Sequence, residues 1–494
     1  MKPYIKKVFW LYTVIFLIVI AHLIKVSIWD SRQFASNPYN PRINQSQNNI
    51  KRGSILDINE KIIVESVKQE DNTYKRQYNY GSAFGHITGY SSRGKTGVES
   101  KYNYYMEKIS NEFFQYLGNA FAKKEIKGDD IVLTINADLQ SYTAEQLGTS
   151  KGAVIAIEPD SGKVLTMVSY PSFDPNTIND DWEYLHSEEA DSPLLARATQ
   201  GLYPPGSVFK IITTAAALNT SPAYWDYEMY CEGEKDFGAN TMHCFNSTAH
   251  RQETMLKAFS QSCNTYFATI GMEIGAKKLI DTSKKFLFNQ ELNFDLEYST
   301  PLFQLKDDAT TSEIIETSIG QGKTMVSPLF MAMVTSAIAN NGMMMKPYVF
   351  DHSINNWGMK INQTIPEKLT QVVEPEIAAQ ITELMKEVVS TGTATQAQFY
   401  TTGLKDIVTS DSVISDDSVV SSGGVYESTF VQVAGKTGTA ENNSGDDHAW
   451  FVAFAPADKP KIAIAVVLEN AGKGSKAVPV ARNVMKYYMD NCIN

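Results

Sequence analysis

The chain has 494 residues, of which 43% are hydrophobic and 20% charged, enough for two or three globular units with cores of their own. Its formal net charge of -11 argues against a nucleic-acid binder, which needs a basic face. The seven histidines form no His-Glu-x-x-His pattern or other ligand spacing, so no metal or other cofactor is expected.

In chain order, Lys2, Lys6 and Lys7 precede an uncharged apolar run from Val8 to Ile24, near the lower length limit of a bilayer-spanning helix. Trp10 and Trp29 suit the two interfaces, and the basic end predicts a cytoplasmic N-terminus. No small-x-small cleavage site follows Ile24, so residues 1–30 are expected to be a cytoplasmic tail and an uncleaved single-pass anchor in the cell membrane. Everything beyond is then extracytoplasmic. Asn37 to Asn49 is rich in Asn, Gln, Ser and Pro and predicts a polar linker.

Ile131 to Ile135 predicts a strand, and Asp138 to Leu147 a helix. Gly152 to Ile157 and Lys163 to Val168, joined by Pro159-Asp160-Ser161-Gly162, predict a hairpin. Helices are expected over Val326 to Ala339, Pro375 to Val389 and Pro479 to Met489. Ser410 to Gly424 repeats Ser, Asp and Val without a helical period and is read as an acidic insertion. Two late apolar runs, Ala449 to Phe454 and Lys461 to Val467, predict strands.

Three strings carry the chemistry: Ser207-Val208-Phe209-Lys210, Ser262-Cys263-Asn264 and Lys436-Thr437-Gly438. Ser207 follows the rigid stop Tyr203-Pro204-Pro205-Gly206 and opens an apolar, breaker-free stretch, so it should begin a buried helix. Lys210, three residues on, returns to the same face. A serine hydroxyl needs a base to become a nucleophile, and a desolvated lysine of lowered pKa can serve. The alternative for Ser207, and for Asn264 before the apolar run Tyr266 to Ile270, is a helix cap. Lys436 to Thr439 continues a strand-like tract, whereas a second Lys95-Thr96-Gly97 lacks a strand-like sequel and is read as a polar loop.

With these strings the chain resembles the class B penicillin-binding proteins, the monofunctional peptidoglycan D,D-transpeptidases. Gly320-Gln321-Gly322, Gly392-Thr393-Ala394 and His448-Ala449-Trp450-Phe451 extend the likeness. Arg52-Gly53-Ser54-Ile55-Leu56-Asp57 and Gly97-Val98-Glu99 are similar to that family's juxtamembrane pedestal motifs. Two residues depart from it: Ala196, where Asn is usual, and Arg251 after His250, where Gly is common.

The resemblance implies an α+β transpeptidase fold, a five-stranded antiparallel sheet flanked by helices, with an N-terminal membrane anchor and an extended pedestal. Residues 31–128 would be linker and pedestal, a dimerisation-type domain, and 129–494 the catalytic domain. It implies Ser207 as nucleophile, Lys210 as base, Ser262 as proton relay and Lys436 as charge support. Asn264, Thr437, Gly438 and Thr439 would bind substrate, and the Ser207 and Thr439 N–H groups would form the oxyanion hole. Stem peptides of peptidoglycan would be substrates, β-lactams inhibitors, and a SEDS-family membrane glycosyltransferase a partner.

Rival readings are a D,D-carboxypeptidase, a β-lactamase, or a non-catalytic scaffold that activates a glycosyltransferase. Against a class A β-lactamase, Asn289-Gln290-Glu291-Leu292-Asn293 has Asn where the deacylating Glu of Glu-x-x-Leu-Asn belongs. Among Cys231, Cys244, Cys263 and Cys492, the first two close a short polar loop, and an extracytoplasmic site permits their bridging. Cys263, with no recognisable activating base, is read as structural.

Overall fold

The computed structural model describes residues 3–25, 51–107, 127–404, 418–421, 424–442 and 445–493. The expected linker from Asn37 to Asn49, Trp29 and residues 410–417 of the insertion lie outside them. Pro3–Lys25 is one helix whose apolar side chains are exposed along its length, and it is long and apolar enough to cross a membrane.

One sheet is five-stranded and wholly antiparallel, in the order Ala434–Ala440, His448–Ala455, Ile462–Leu468, Gly152–Ile157, Val164–Tyr170. The predicted hairpin thus pairs with strands more than half the chain away. Every residue of Ile462–Leu468 and Gly152–Ile157 is buried, so these strands carry continuous apolar runs instead of an alternating pattern. One face is covered by Pro328–Ala339, a helix buried almost all round. Val478–Asn491 and Ala137–Leu147 also pack on the sheet, the latter capped by Asn136 Oδ1, which accepts from the N–H groups of Asp138 and Leu139.

A second sheet of six strands runs Lys360–Ile361, Phe350–Ile354, Asp130–Leu133, Ile55–Leu56, Ile62–Lys68, Tyr74–Tyr78. Ile55–Leu56 lies parallel to Asp130–Leu133, and the remaining pairs are antiparallel. It therefore combines strands from before and after residue 128. Asp295 strengthens this junction: its carboxylate accepts from the Val349 and Phe350 N–H groups at 2.8 and 3.1 Å and from the Tyr102 hydroxyl at 2.9 Å. Tyr102 also stacks on Phe350 with ring centroids 4.6 Å apart.

Arg52 and Glu99 form the buried centre of the N-terminal unit. Glu99, fully buried, accepts from Arg52 Nε and Arg76 Nε, both at 2.8 Å, and Arg52 also reaches Asn103 and Glu107. Burial opposes the Glu99 charge, but the two guanidiniums outweigh it and hold the carboxyl below its usual range. Lys95 and Thr96 form a loop as expected, but the lysine is not in solvent. Its side chain is only 6% exposed and pairs with Glu107 at 3.4 Å, because the ion cluster extends to it, and Gly97 opens a short helix, Gly97–Lys101.

The expected acidic insertion also differs in part. Ser418–Ser421 is a strand, paired with Gly424–Val431, which in turn pairs with Phe399–Leu404 in a three-stranded sheet. The Ser and Val repeat that lacks a helical period is compatible with a strand.

Candidate active site

Ser207 lies in a 3-10 turn, Gly206–Phe209, that runs directly into the buried helix Lys210–Thr220. Residues three apart eclipse in such a turn, so Ser207 and Lys210 share a face. Gly206 has φ +54°, and a Cβ there would stand 2.4 Å from the Thr439 carbonyl oxygen. Gly320, at φ +79°, would in turn place a Cβ 2.0 Å from the Gly206 carbonyl oxygen, while its own carbonyl accepts from Gly206 N–H at 2.9 Å. Only glycine permits both approaches. The buried Trp450 holds the turn from below by donating its indole N–H to the Pro204 carbonyl at 3.0 Å.

Ser262 sits between the helices Met255–Ser260 and Asn264–Lys285 at φ +61°, a conformation that is costly for a residue with a Cβ. The turn aims its hydroxyl and carbonyl at two buried lysines. Lys210 Nζ donates to the Ser262 carbonyl at 2.7 Å and to Asn264 Oδ1 at 2.8 Å, and contacts Ser262 Oγ at 3.2 Å. Lys436 Nζ, from the opposite wall, reaches the same Oγ at 3.0 Å and the Thr437 carbonyl at 3.1 Å. Ser262 thus bridges both lysines. Asn264 is fixed by its second side-chain atom, Nδ2, which donates to the His243 carbonyl at 3.0 Å.

Both lysines are fully buried. Desolvation pushes Lys210 down to about 8. Lys436 lies well below its ordinary value, first through burial and then through repulsion from Lys210. Two ammonium groups cannot comfortably share one hydroxyl, so the pair favours at least one neutral amine.

Ser207 and Thr439 are half-buried and face the cleft, whereas Thr437 is buried. The Thr439 hydroxyl accepts from Gly474 N–H at 3.1 Å, and Gly438 packs against the Pro205 carbonyl and Trp450 Cβ, where an added Cβ would stand at 3.0 Å from each. Lys210, Ser262, Asn264 and Lys436, which come from all three strings, therefore meet, with Ser207 one turn before Lys210. The expected Ser207–Lys210 pairing takes a different form: a buried ammonium needs several acceptors, and the Ser262 string supplies them.

Residues 152–486 match the penicillin binding protein transpeptidase domain, and residues 52–131 the penicillin binding protein A dimerisation domain. This chain is a penicillin-binding transpeptidase. It is 30% identical to the peptidoglycan D,D-transpeptidase PbpA of Mycolicibacterium smegmatis over 95% of each chain. It superposes on penicillin-binding protein A of M. tuberculosis, solved as an imipenem acyl-enzyme complex, with a TM-score of 0.79 at 27% identity, covering 90% of this chain and 100% of that one. The D,D-transpeptidase domain of a peptidoglycan glycosyltransferase from Eggerthella lenta gives a TM-score of 0.77 at 30% identity, with the same coverage.

Several residues of this transpeptidase site carry no readable signal alone. Glu469 accepts from Arg197 Nε at 2.8 Å and from the Tyr203 hydroxyl at 2.7 Å, and so braces the segment that leads into Ser207. Only the fold brings Glu469 to them. Arg251 stands at φ +70°, which accounts for the expectation of glycine there.

The bridge left open between Cys231 and Cys244 is not formed. Cys231 and Cys244 are both free, with sulfurs 3.7 Å apart, and Cys244 lies equally near Cys263. His250 Nδ1 approaches Cys231 Sγ at 3.5 Å, and the four ligand atoms lie within 4.8 Å of one another. Spacing along the chain shows no ligand pattern, yet the fold brings these four side chains together. Hydrogen bonding with Cys263 holds the Cys244 thiol below its ordinary range, and hydrogen bonding with the thiols raises His250. Three thiols and an imidazole form a donor set suited to a tetrahedral thiophilic cation such as Zn2+.

Proposed function

We propose that the chain crosslinks peptidoglycan stem peptides as a D,D-transpeptidase through a Ser207 acyl-enzyme and is acylated there by β-lactams. The observation that carries this reading is the meeting of Lys210 and Lys436 on Ser262 Oγ, beside a half-buried serine at a helix start. Neutral Lys210 takes the Ser207 proton as Oγ attacks the penultimate D-Ala carbonyl carbon. The Ser207 and Thr439 N–H groups receive the developing oxyanion, a contribution of about 3 kcal/mol per donor. As the C–N bond breaks, Ser262 relays a proton from the lysine pair to the leaving D-Ala nitrogen. An amine of a neighbouring stem then attacks the ester, forms the crosslink and restores the serine. Asn264 holds the peptide amide, Thr437 and Thr439 bind the terminal carboxylate beside Lys436, and Gly438 gives the strand close access to it.

Residues 1–30 would anchor the chain with its N-terminus cytoplasmic, 31–128 would form linker and pedestal, and 129–494 the extracytoplasmic catalytic domain. A SEDS-family glycosyltransferase is the partner proposed for the pedestal. The β-lactamase alternative is disfavoured by Asn289, whose amide side chain is committed to the Phe303 backbone: Nδ2 donates to the carbonyl at 2.7 Å, and Oδ1 accepts from the N–H at 3.0 Å. The test is intact-protein mass spectrometry with penicillin. A single slow-hydrolysing adduct on the Ser207 peptide, lost in Ser207→Ala, is expected. Rapid turnover or labelling elsewhere refutes the assignment.

A further inference from the structure

Thr393 follows the helix Pro375–Ser390 and belongs to none of the three strings, yet it touches two walls of the cleft. Its backbone N–H donates to the Ser260 carbonyl at 3.3 Å, at the end of the helix that leads into Ser262. Its hydroxyl shares a 2.5 Å hydrogen bond with the hydroxyl of Thr437. Gly392 makes the first contact possible, because a Cβ there would stand 2.5 Å from the Ser260 oxygen. Thr393 itself is exposed, whereas Thr437 is only 6% exposed.

Two bonded hydroxyls have two protons between them. One lies in the shared bond, and the other remains free to donate. If Thr393 donates, the Thr437 proton is directed away from it, toward the cleft, and the Thr437 rotor is fixed. A lone hydroxyl would have to be oriented by the ligand itself.

We propose that Thr393 is a positioning residue of the carboxylate subsite, holding the Thr437 hydroxyl as a preoriented donor to the carboxylate of a stem peptide or β-lactam. This rests on the role given above to Thr437, and it adds a residue outside the three strings. Preorientation acts on initial binding of the anionic ligand, while the acylation step depends on Ser207, Lys210 and Ser262.

The test uses the full-length, detergent-solubilised chain and a fluorescent penicillin, separating the initial dissociation constant from the acylation rate constant by stopped flow. Thr393→Val keeps the shape and removes the hydroxyl. It should raise the dissociation constant about fivefold, the effect of one hydrogen bond, and change the acylation constant less than twofold. Thr393→Ser should restore wild-type binding. In a Thr437→Val background, Thr393→Val should add less than twofold, because the two hydroxyls act as a unit. An uncharged penicillin methyl ester should be insensitive to Thr393→Val.

Unchanged penicillin binding in Thr393→Val, an equal loss in the Thr437→Val background, or an equal loss toward the ester would overturn the proposal. A fall confined to the acylation constant would also overturn it, by showing that Thr393 only spaces the walls. If Thr437→Val alone leaves the dissociation constant unchanged, the carboxylate role of Thr437 fails first. That outcome is distinct from a failure of Thr393 alone.

Discussion

Acylation by penicillin should rise with pH through the titration of Lys210. Its amine is buried and held at about 8, well below an exposed lysine. Only the neutral amine can accept the Ser207 proton. The neutral fraction of such a group is roughly one-tenth one unit below its pKa and roughly nine-tenths one unit above. The second-order acylation rate constant should therefore climb about tenfold between pH 7 and pH 9 and level off above. The sign follows from burial: desolvation penalises the ammonium, so the active form appears at a lower pH than it would on an exposed lysine. Stopped-flow labelling across that range, with circular dichroism to confirm that the fold persists, measures the limb. A flat profile from pH 6 to 9, or a rate that falls as pH rises through 8, would refute Lys210 as the base.

Glu99→Ala leaves Arg52 and Arg76 without their shared carboxylate and should cost about 3 to 5 kcal/mol, read as a lower denaturation midpoint. Protein that remains folded should still label with penicillin; complete loss of labelling would place Glu99 in the site itself. Gly320→Ala sets a methyl against the Gly206 backbone and should reduce acylation more than tenfold, whereas Gly358→Ala, at φ +76° in the turn between Phe350–Ile354 and Lys360–Ile361 with no neighbour within 4 Å, adds only local backbone strain and should leave acylation unchanged. For the thiol cluster, metal analysis should find about one bound zinc per chain, and chelation should lower the melting temperature. Four freely titrating thiols in the untreated folded protein, with no bound metal, would contradict that expectation.

The three strings are legible in the sequence because the nucleophile, base and relay proposed for them form short local patterns whose chemistry restricts residue choice. The hairpin Gly152–Ile157 with Val164–Tyr170 and the helix Pro328–Ala339 are legible for a similar reason, since apolar runs and turn residues act locally. What brings Glu469 to Arg197 is the closure of a sheet whose strands lie far apart in the chain. Local periodicity contains no record of that closure. His250 and the three cysteines fail for the same reason, as their spacing fits no compact ligand motif and only the turn at Ser262 brings Cys263 to them. Lys95 and Thr96 lie in a loop as expected, but the burial of the Lys95 side chain against Glu107 has no signal in the local sequence.

The six-stranded sheet imposes an order on how the chain matures. Ile55–Leu56 finds Asp130–Leu133 early in synthesis, but the other edge of Asp130–Leu133 waits for Phe350–Ile354. Until the chain has run on to Ile354, a largely buried strand of the finished protein presents an open row of amides and carbonyls, the kind of edge that recruits foreign strands. Pairings so distant in sequence also close slowly. The nascent chain therefore passes through an interval in which its N-terminal strands are only partly paired and aggregation-prone, and a chaperone that shields strand edges would act during that interval.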